Sequence, residues 1–127
     1  TGNNKQQTTT VMTSLSKTEL MKQGEQVYMN TCSVCHQPTG KGMPPAFPAL
    51  AGSKIATGPV ANHINIVLNG KSGTAMQAFK NQLTPTQIAA VITYERNSWG
   101  NDNQSKYGKD AGGIVQPADI EKAEGKK

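Results

Sequence analysis

Cys32-Ser33-Val34-Cys35-His36 decides how the rest of the chain is read. C-x-x-C-H is the attachment sequence for c-type haem, and its chemistry explains its spacing. Two thiols three positions apart at the end of a helix can each add to a haem vinyl group, while the adjacent imidazole is held against the iron as proximal ligand. The chain has only these two cysteines, so thioether formation uses both. A thioredoxin-like dithiol would need a βαβ context, which the surrounding helical pattern lacks. A structural zinc would need four ligands, and Cys32, Cys35, His36 and His63 are the only Cys and His side chains in the sequence.

A covalent cofactor also suits the size of the chain. At 127 residues it has the length of one domain, and its apolar residues concentrate between 16 and 100. A core of that extent is marginal unless a cross-link or cofactor supplements it. Residues 1–15, rich in Gly, Asn, Gln and Thr (TGNNKQQTTTVMT through Thr13), read as a flexible linker or tail. Residues 101–127 read as a polar extension with a short helix over Ala118–Glu124 after Pro117. The longest apolar run, Ile88–Ile92, is far short of the roughly 18 residues of a membrane span, so this segment is expected not to insert into a membrane. Starting at Thr1 without a charged-then-apolar leader, the chain is expected to be a processed or excised piece. The net charge is +5 and the pI about 9.3, and the excess falls on residues 20–100, where five lysines and Arg96 face Glu25 and Glu95. Acidic protein surfaces are the expected partners.

Periodicity makes the fold all-α. Ser16-Lys17-Thr18-Glu19 fits a capping box, and Leu20, Gly24, Val27 and Tyr28 follow at helical spacing, which predicts a helix from Lys17 to about Asn30. Residues 37–59 hold five prolines and four glycines and predict an ordered wrapping loop. Val60, Ile64, Val67 and Leu68 share the face of a second helix that Gly70 ends. After a second loop, Lys71–Leu83, Thr84-Pro85-Thr86-Gln87 opens a third helix through Ile88, Val91, Ile92 and Trp99, stopped at Gly100.

The second axial ligand must come from Met12, Met21, Met29, Met43, Met76 or His63, or be absent. Met12 lies in the tail, Met21 and Met29 on the helix that presents the cysteines, and Met43 is held before Pro44-Pro45 only seven residues after His36. His63 reads as a surface or propionate-side histidine. Met76, forty residues after His36 in Gly73-Thr74-Ala75-Met76-Gln77-Ala78-Phe79, sits in a loop whose small residues let backbone approach the ring. It is the expected ligand.

The set Gly24, Tyr28, Cys32-x-x-Cys35-His36, Pro48-x-Leu50, Met76 and a closing helix with Tyr94 resembles class I cytochrome c. More narrowly, Gly40–Leu50, His63–Phe79, Ile92–Gly100 and Val115-Gln116-Pro117 are similar to the cytochrome c domain fused to the C-terminus of bacterial cytochrome c oxidase subunit II. This resemblance spans residues 20–117. It implies three to five helices wrapped around one haem c, with the Pro48 carbonyl accepting the His36 Nδ1–H. It further implies that the first-helix residues Gly24 and Tyr28 cross the last helix near Val91 and Tyr94. In subunit II a cupredoxin domain holds a binuclear copper centre, and this chain has no such ligand set, so that domain and its membrane anchor are expected before Thr1.

With His36 and Met76 both bound the iron has no open position, so one-electron exchange is expected rather than catalysis. The expectation is a domain on the periplasmic side, tethered through a missing N-terminal portion, that accepts electrons from an acidic redox protein and passes them to the oxidase copper centre. Lys22, Lys41, Lys54, Lys71 and Lys80 would rim the docking face, and no nucleic acid is involved. The alternatives are a free periplasmic shuttle, or a haem enzyme or sensor with an open sixth site.

Overall fold

The structure, a computed structural model, describes residues 14–125. The first thirteen residues, most of the stretch read as a linker and including Met12, lie outside the described residues, as do 126 and 127. The described chain is helical: α1 Lys17–Val27, a π-helical turn Tyr28–Cys32, α2 Ser33–His36, α3 Lys54–Thr57, α4 Val60–Asn69, α5 Pro85–Asn97, α6 Gln104–Tyr107 and α7 Pro117–Ala123. The β pairing among the described residues is one isolated bridge between Met43 and Phe47.

α5 is the centre of the molecule. Its Thr84 hydroxyl accepts from the Gln87 N–H while the Gln87 side chain accepts from the Thr84 N–H, and Pro85 fills the first turn. These contacts satisfy donors that a helix start leaves orphaned. Ile88, Ala89, Ala90, Val91 and Ile92 are all buried, because α1, α4 and α7 each pack on this helix. Burying an aliphatic side chain of this size contributes about 1.5–3 kcal/mol relative to leaving it exposed. The α1–α5 crossing is made close by Gly24, where a Cβ would strike the Ala90 carbonyl and lie 2.7 Å from the Tyr94 Cβ.

Several expectations are revised. The first helix does not end near Asn30: its path continues through the π turn to His36, since the Ser33 N–H reaches the Tyr28 carbonyl. At Ser16 only half of the capping box forms, the hydroxyl accepting from the Glu19 N–H while Glu19 turns its carboxylate to Gln23. α5 stops at Asn97, and Trp99 lies beyond it with φ 56°, so its ring folds back instead of continuing the helical face. Residues 101–125, read from composition as a polar extension, place Ala111, Val115, Pro117 and Ile120 in the core. Few apolar residues suffice there because α7 packs on both α5 and α4. The same segment is pinned by a two-way pair in which the Leu15 N–H donates to Gln116 Oε1 and Gln116 Nε2 to the Leu15 carbonyl, each at 2.9 Å.

Candidate functional site

The site begins where α1 widens. A π turn adds one residue to a helical turn and so rotates the succeeding turn by roughly 100° relative to the preceding face. α1 can therefore bury Leu20, Gly24 and Val27 against α5 while the next turn presents Cys32, Cys35 and His36, all half-buried. Val34, between the thiols, is 76% exposed. The two cysteines are not joined to each other. Burial, reinforced by the nearby Glu95 carboxylate and by Cys35, pushes the Cys32 thiol well above the ordinary thiol range, so it is held protonated.

Immediately after His36 the backbone turns sharply, with Gln37 at φ 68°, and side chains from elsewhere hold the turn. The Tyr28 hydroxyl donates to the Gln37 carbonyl at 2.6 Å and Trp99 Nε1 to the Pro38 carbonyl at 3.1 Å. Tyr28, Tyr94 and Trp99 form a mutually packed aromatic group with ring centroids 5.1–5.7 Å apart. Gly40 at φ 71° lies against the Trp99 indole, 2.6 Å from where a Cβ would stand, which is why that position takes glycine.

The wrapping loop then returns to the imidazole. His36 Nδ1 lies 3.0 Å from the Pro48 carbonyl. A carbonyl only accepts, so Nδ1 carries the proton and Nε2 is left with its lone pair available to a metal. Three arrangements aim that carbonyl. Met43 and Phe47 exchange backbone hydrogen bonds of 2.7 and 3.0 Å across the loop, and the Gly40 carbonyl accepts from the Leu50 and Ala51 N–H groups. Buried Asn101 accepts from the Gly52 N–H at 2.7 Å and donates to the Leu50 carbonyl at 3.1 Å and the Glu95 carbonyl at 2.8 Å.

Met76 is half-buried and packs on the edge of the core. Its loop is fastened to α4 by the Phe79 N–H on the Val67 carbonyl at 2.9 Å and the Lys80 N–H on the Leu68 carbonyl at 3.3 Å. Gly70, at φ 72°, has no room for a side chain, because a Cβ would lie 2.7 Å from the Met76 carbonyl. Of the other methionines, Met21 is half-buried on α1, while Met29 and Met43 are exposed.

These residues fit a covalent haem. Two uncrosslinked thiols and an imidazole with a free Nε2 stand on one turn, and half-buried apolar residues (Cys32, Leu50, Val60, Met76 and Leu83) border the core. A flat apolar ring covers surface of that kind.

His63 is not a surface group. It is 2% exposed, on the inner face of α4 with Ile64 and Val67, and contacts Glu95 and Arg96 of α5. Arg96, fully buried, donates to the carbonyls of Ile55, Gly58, Asp110 and Gly112. Neither Arg96 nor Asn101 stands out as a functional residue by type. A signal for Arg96 does exist, since it follows Ile88 and Ile92 at intervals of four and so shares their buried face.

Residues 19–94 match the family model described as cytochrome c oxidase, cbb3-type, subunit III. The chain belongs to this cytochrome c family. A cytochrome c subunit of a quinone alcohol dehydrogenase from Gluconobacter oxydans is 33% identical over 109 residues, covering 78% of the chain and 21% of the relative. The chain thus spans about a fifth of that relative's length. Cytochrome c-552 of Thermus thermophilus is 33% identical over 97 residues, 65% of the chain and 72% of the relative. The fold is that of cytochrome cL from Hyphomicrobium denitrificans, with a TM-score of 0.54 at 21% identity over 75% of the chain and 62% of that structure. As a cytochrome c domain the chain is an electron carrier with a covalent haem c, not itself an enzyme. The narrower expectation of a fusion to oxidase subunit II finds no counterpart among these relatives.

Proposed function

We propose that the domain carries single electrons through a haem c attached at Cys32 and Cys35 and ligated by His36 and Met76, on the periplasmic side of a bacterial membrane. The carrying observation is the His36–Pro48 contact, placed one residue after a cysteine pair on the same turn. When bound, the haem iron exchanges one electron between its ferrous and ferric states. Pro48 fixes the imidazole tautomer, orients the ring and raises the basicity of Nε2. Met76 supplies a soft thioether that favours the lower oxidation state, and its anchored loop keeps the ligand in place so that little rearranges during exchange. Exposed Val34 leaves apolar surface between the cysteines, and exposed Lys22, Lys41, Lys54, Lys71 and Lys80 attract an acidic redox partner.

Two finer readings concern where the electron goes. The likeness of residues 40–50, 63–79 and 92–100 to the domain of oxidase subunit II supports a membrane-tethered relay to an oxidase copper centre. The relatives named as cytochrome c subunits of dehydrogenases support a carrier that serves a dehydrogenase. The coding sequence upstream of Thr1 separates them, the first requiring a cupredoxin domain there.

The ligation is tested by absorption spectra of natively matured protein in both oxidation states. A low-spin ferric spectrum with a weak far-red sulfur band and a two-thioether pyridine haemochrome are expected. High-spin ferric haem that readily takes up cyanide would sink the reading in favour of an open-site haem enzyme or sensor.

A further inference from the structure

The turn that follows α5 holds a tryptophan in a strained backbone. Trp99 and Gly100 both have positive φ, 56° and 81°, and the Asn101 N–H closes the turn on the Ser98 carbonyl at 2.9 Å. A left-handed backbone is costly for so bulky a residue. What the turn brings is direction. Along a continuing helix, side chains 99 and 101 would stand about 200° apart, whereas here both reach the loop of residues 38–52.

They take its two ends. Trp99 Nε1 donates to the Pro38 carbonyl at 3.1 Å, and the indole covers Gly40. Asn101, fully buried, accepts from the Gly52 N–H at 2.7 Å and donates to the Leu50 carbonyl at 3.1 Å. It also donates to the Glu95 carbonyl of α5 at 2.8 Å, so the side chain is anchored to the helix as well as to the loop. The ends hold each other too, since the Gly40 carbonyl accepts from the Leu50 and Ala51 N–H groups at 2.7 and 2.9 Å. Pro48 lies inside this closure, two residues before Leu50. Gly42 packs on it: its N–H donates to the His36 carbonyl at 2.8 Å, and a Cβ there would lie 2.6 Å from the Pro48 oxygen. The carbonyl that faces His36 Nδ1 at 3.0 Å is therefore aimed by a loop whose ends are both fastened to the turn after α5.

We propose that Asn101 and Trp99 are positioning residues for the imidazole ligand: by fixing the two ends of the 38–52 loop they hold the Pro48 carbonyl on His36 Nδ1 and so lower the reduction potential of the haem. Resting on the proposed haem attachment and His36 ligation, this role concerns how tightly the electron is held rather than whether one is carried. A ring proton shared with a well-aimed acceptor makes Nε2 a more basic ligand, and a more basic ligand favours the more positively charged ferric iron. Loosening either end lets the carbonyl drift from Nδ1, which weakens that effect and raises the potential.

Two measurements on the haem-loaded full chain test this. Spectroelectrochemical titration reads the potential, and solvent exchange of the His36 Nδ1 proton, followed by NMR in the ferrous protein, reads the hydrogen bond itself. Asn101→Ala should raise the midpoint potential and speed that exchange while the spectrum stays low-spin. Ile120→Ala, which removes core packing on α7 instead, should lower the Tm and leave both readings at the wild-type values. An Asn101→Ala protein with either reading unshifted, or an Ile120→Ala protein that shifts as far, overturns the proposal. Should Asn101→Ala fail to take up haem, Trp99→Phe decides, because it keeps a ring over Gly40 and removes the N–H. Its potential should rise and its His36 exchange quicken, and a variant unchanged in either overturns the proposal. Failure of the haem reading would look different, as wild-type protein without the thioether haemochrome.

Discussion

A methionine on a half-buried loop edge has two ordinary uses, filling a gap or binding a soft metal. The anchoring of residues 76–80 to α4 and the requirement for glycine at position 70 give Met76 a fixed backbone, which a ligand needs and a gap-filler does not. Met76→Ala should abolish the far-red sulfur band and lower the midpoint potential, and an unchanged spectrum would assign the sixth position elsewhere. Tyr28 makes the other decisive single contact, its hydroxyl holding the Gln37 carbonyl just past the imidazole. Losing that bond in Tyr28→Phe should cost about 1 kcal/mol, measured as the denaturant midpoint at neutral pH. Burial, then the charge of Glu95, raises the Tyr28 hydroxyl well above its ordinary value of 10.0. A raised folded-state value means that the phenol's contribution is complete below pH 10 and is lost as pH climbs above it. Wild-type stability should therefore fall in alkali, and Tyr28→Phe should fall less steeply over the same range.

At the scale of elements, the α1–α5 crossing decides whether the turn bearing the cysteines faces its loop. Gly24→Ala would push a methyl into the Ala90 carbonyl, which is backbone and cannot swing aside. The expected loss is about 1–3 kcal/mol, visible as a lowered Tm with the haem still attached; an unchanged Tm would mean that the helices slide apart without cost. The helices were legible in the sequence because their signals are local. Thr84-Pro85 and Gly70 mark boundaries by backbone chemistry, and the Leu20–Val27 stripe marks a face by period. The π turn was not legible, since Tyr28–Cys32 contains no breaker and the extra residue is imposed by the need to bury Tyr28 while presenting Cys32 beyond it. Within the site, Cys32, Cys35 and His36 announce themselves by spacing. Asn101 and Arg96 do not, because their partners are backbone carbonyls and N–H groups up to fifty-one residues away, and any loop brought there by the fold would serve.

For the molecule as a whole, composition misjudged the last quarter of the chain. Polar residues and glycines dominate it, yet Ile120 is fully buried and Thr93 is tied to both the N–H and the carbonyl of Val115. Ile120→Ala should destabilise by about 2–4 kcal/mol in a thermal melt, whereas an exposed extension would show almost no change. Charge also acts at this scale. With a net +5 and lysines exposed on several elements, second-order electron transfer with an acidic redox protein should slow as salt is added. A rate that ignores ionic strength would mean that apolar contact alone guides the encounter.

The reciprocal pair between Leu15 and Gln116 has a mechanical corollary. It ties the stretch leading into α1 to the residue that opens α7, so tension applied ahead of residue 15 would be met first by that two-bond clasp and only then by the helices.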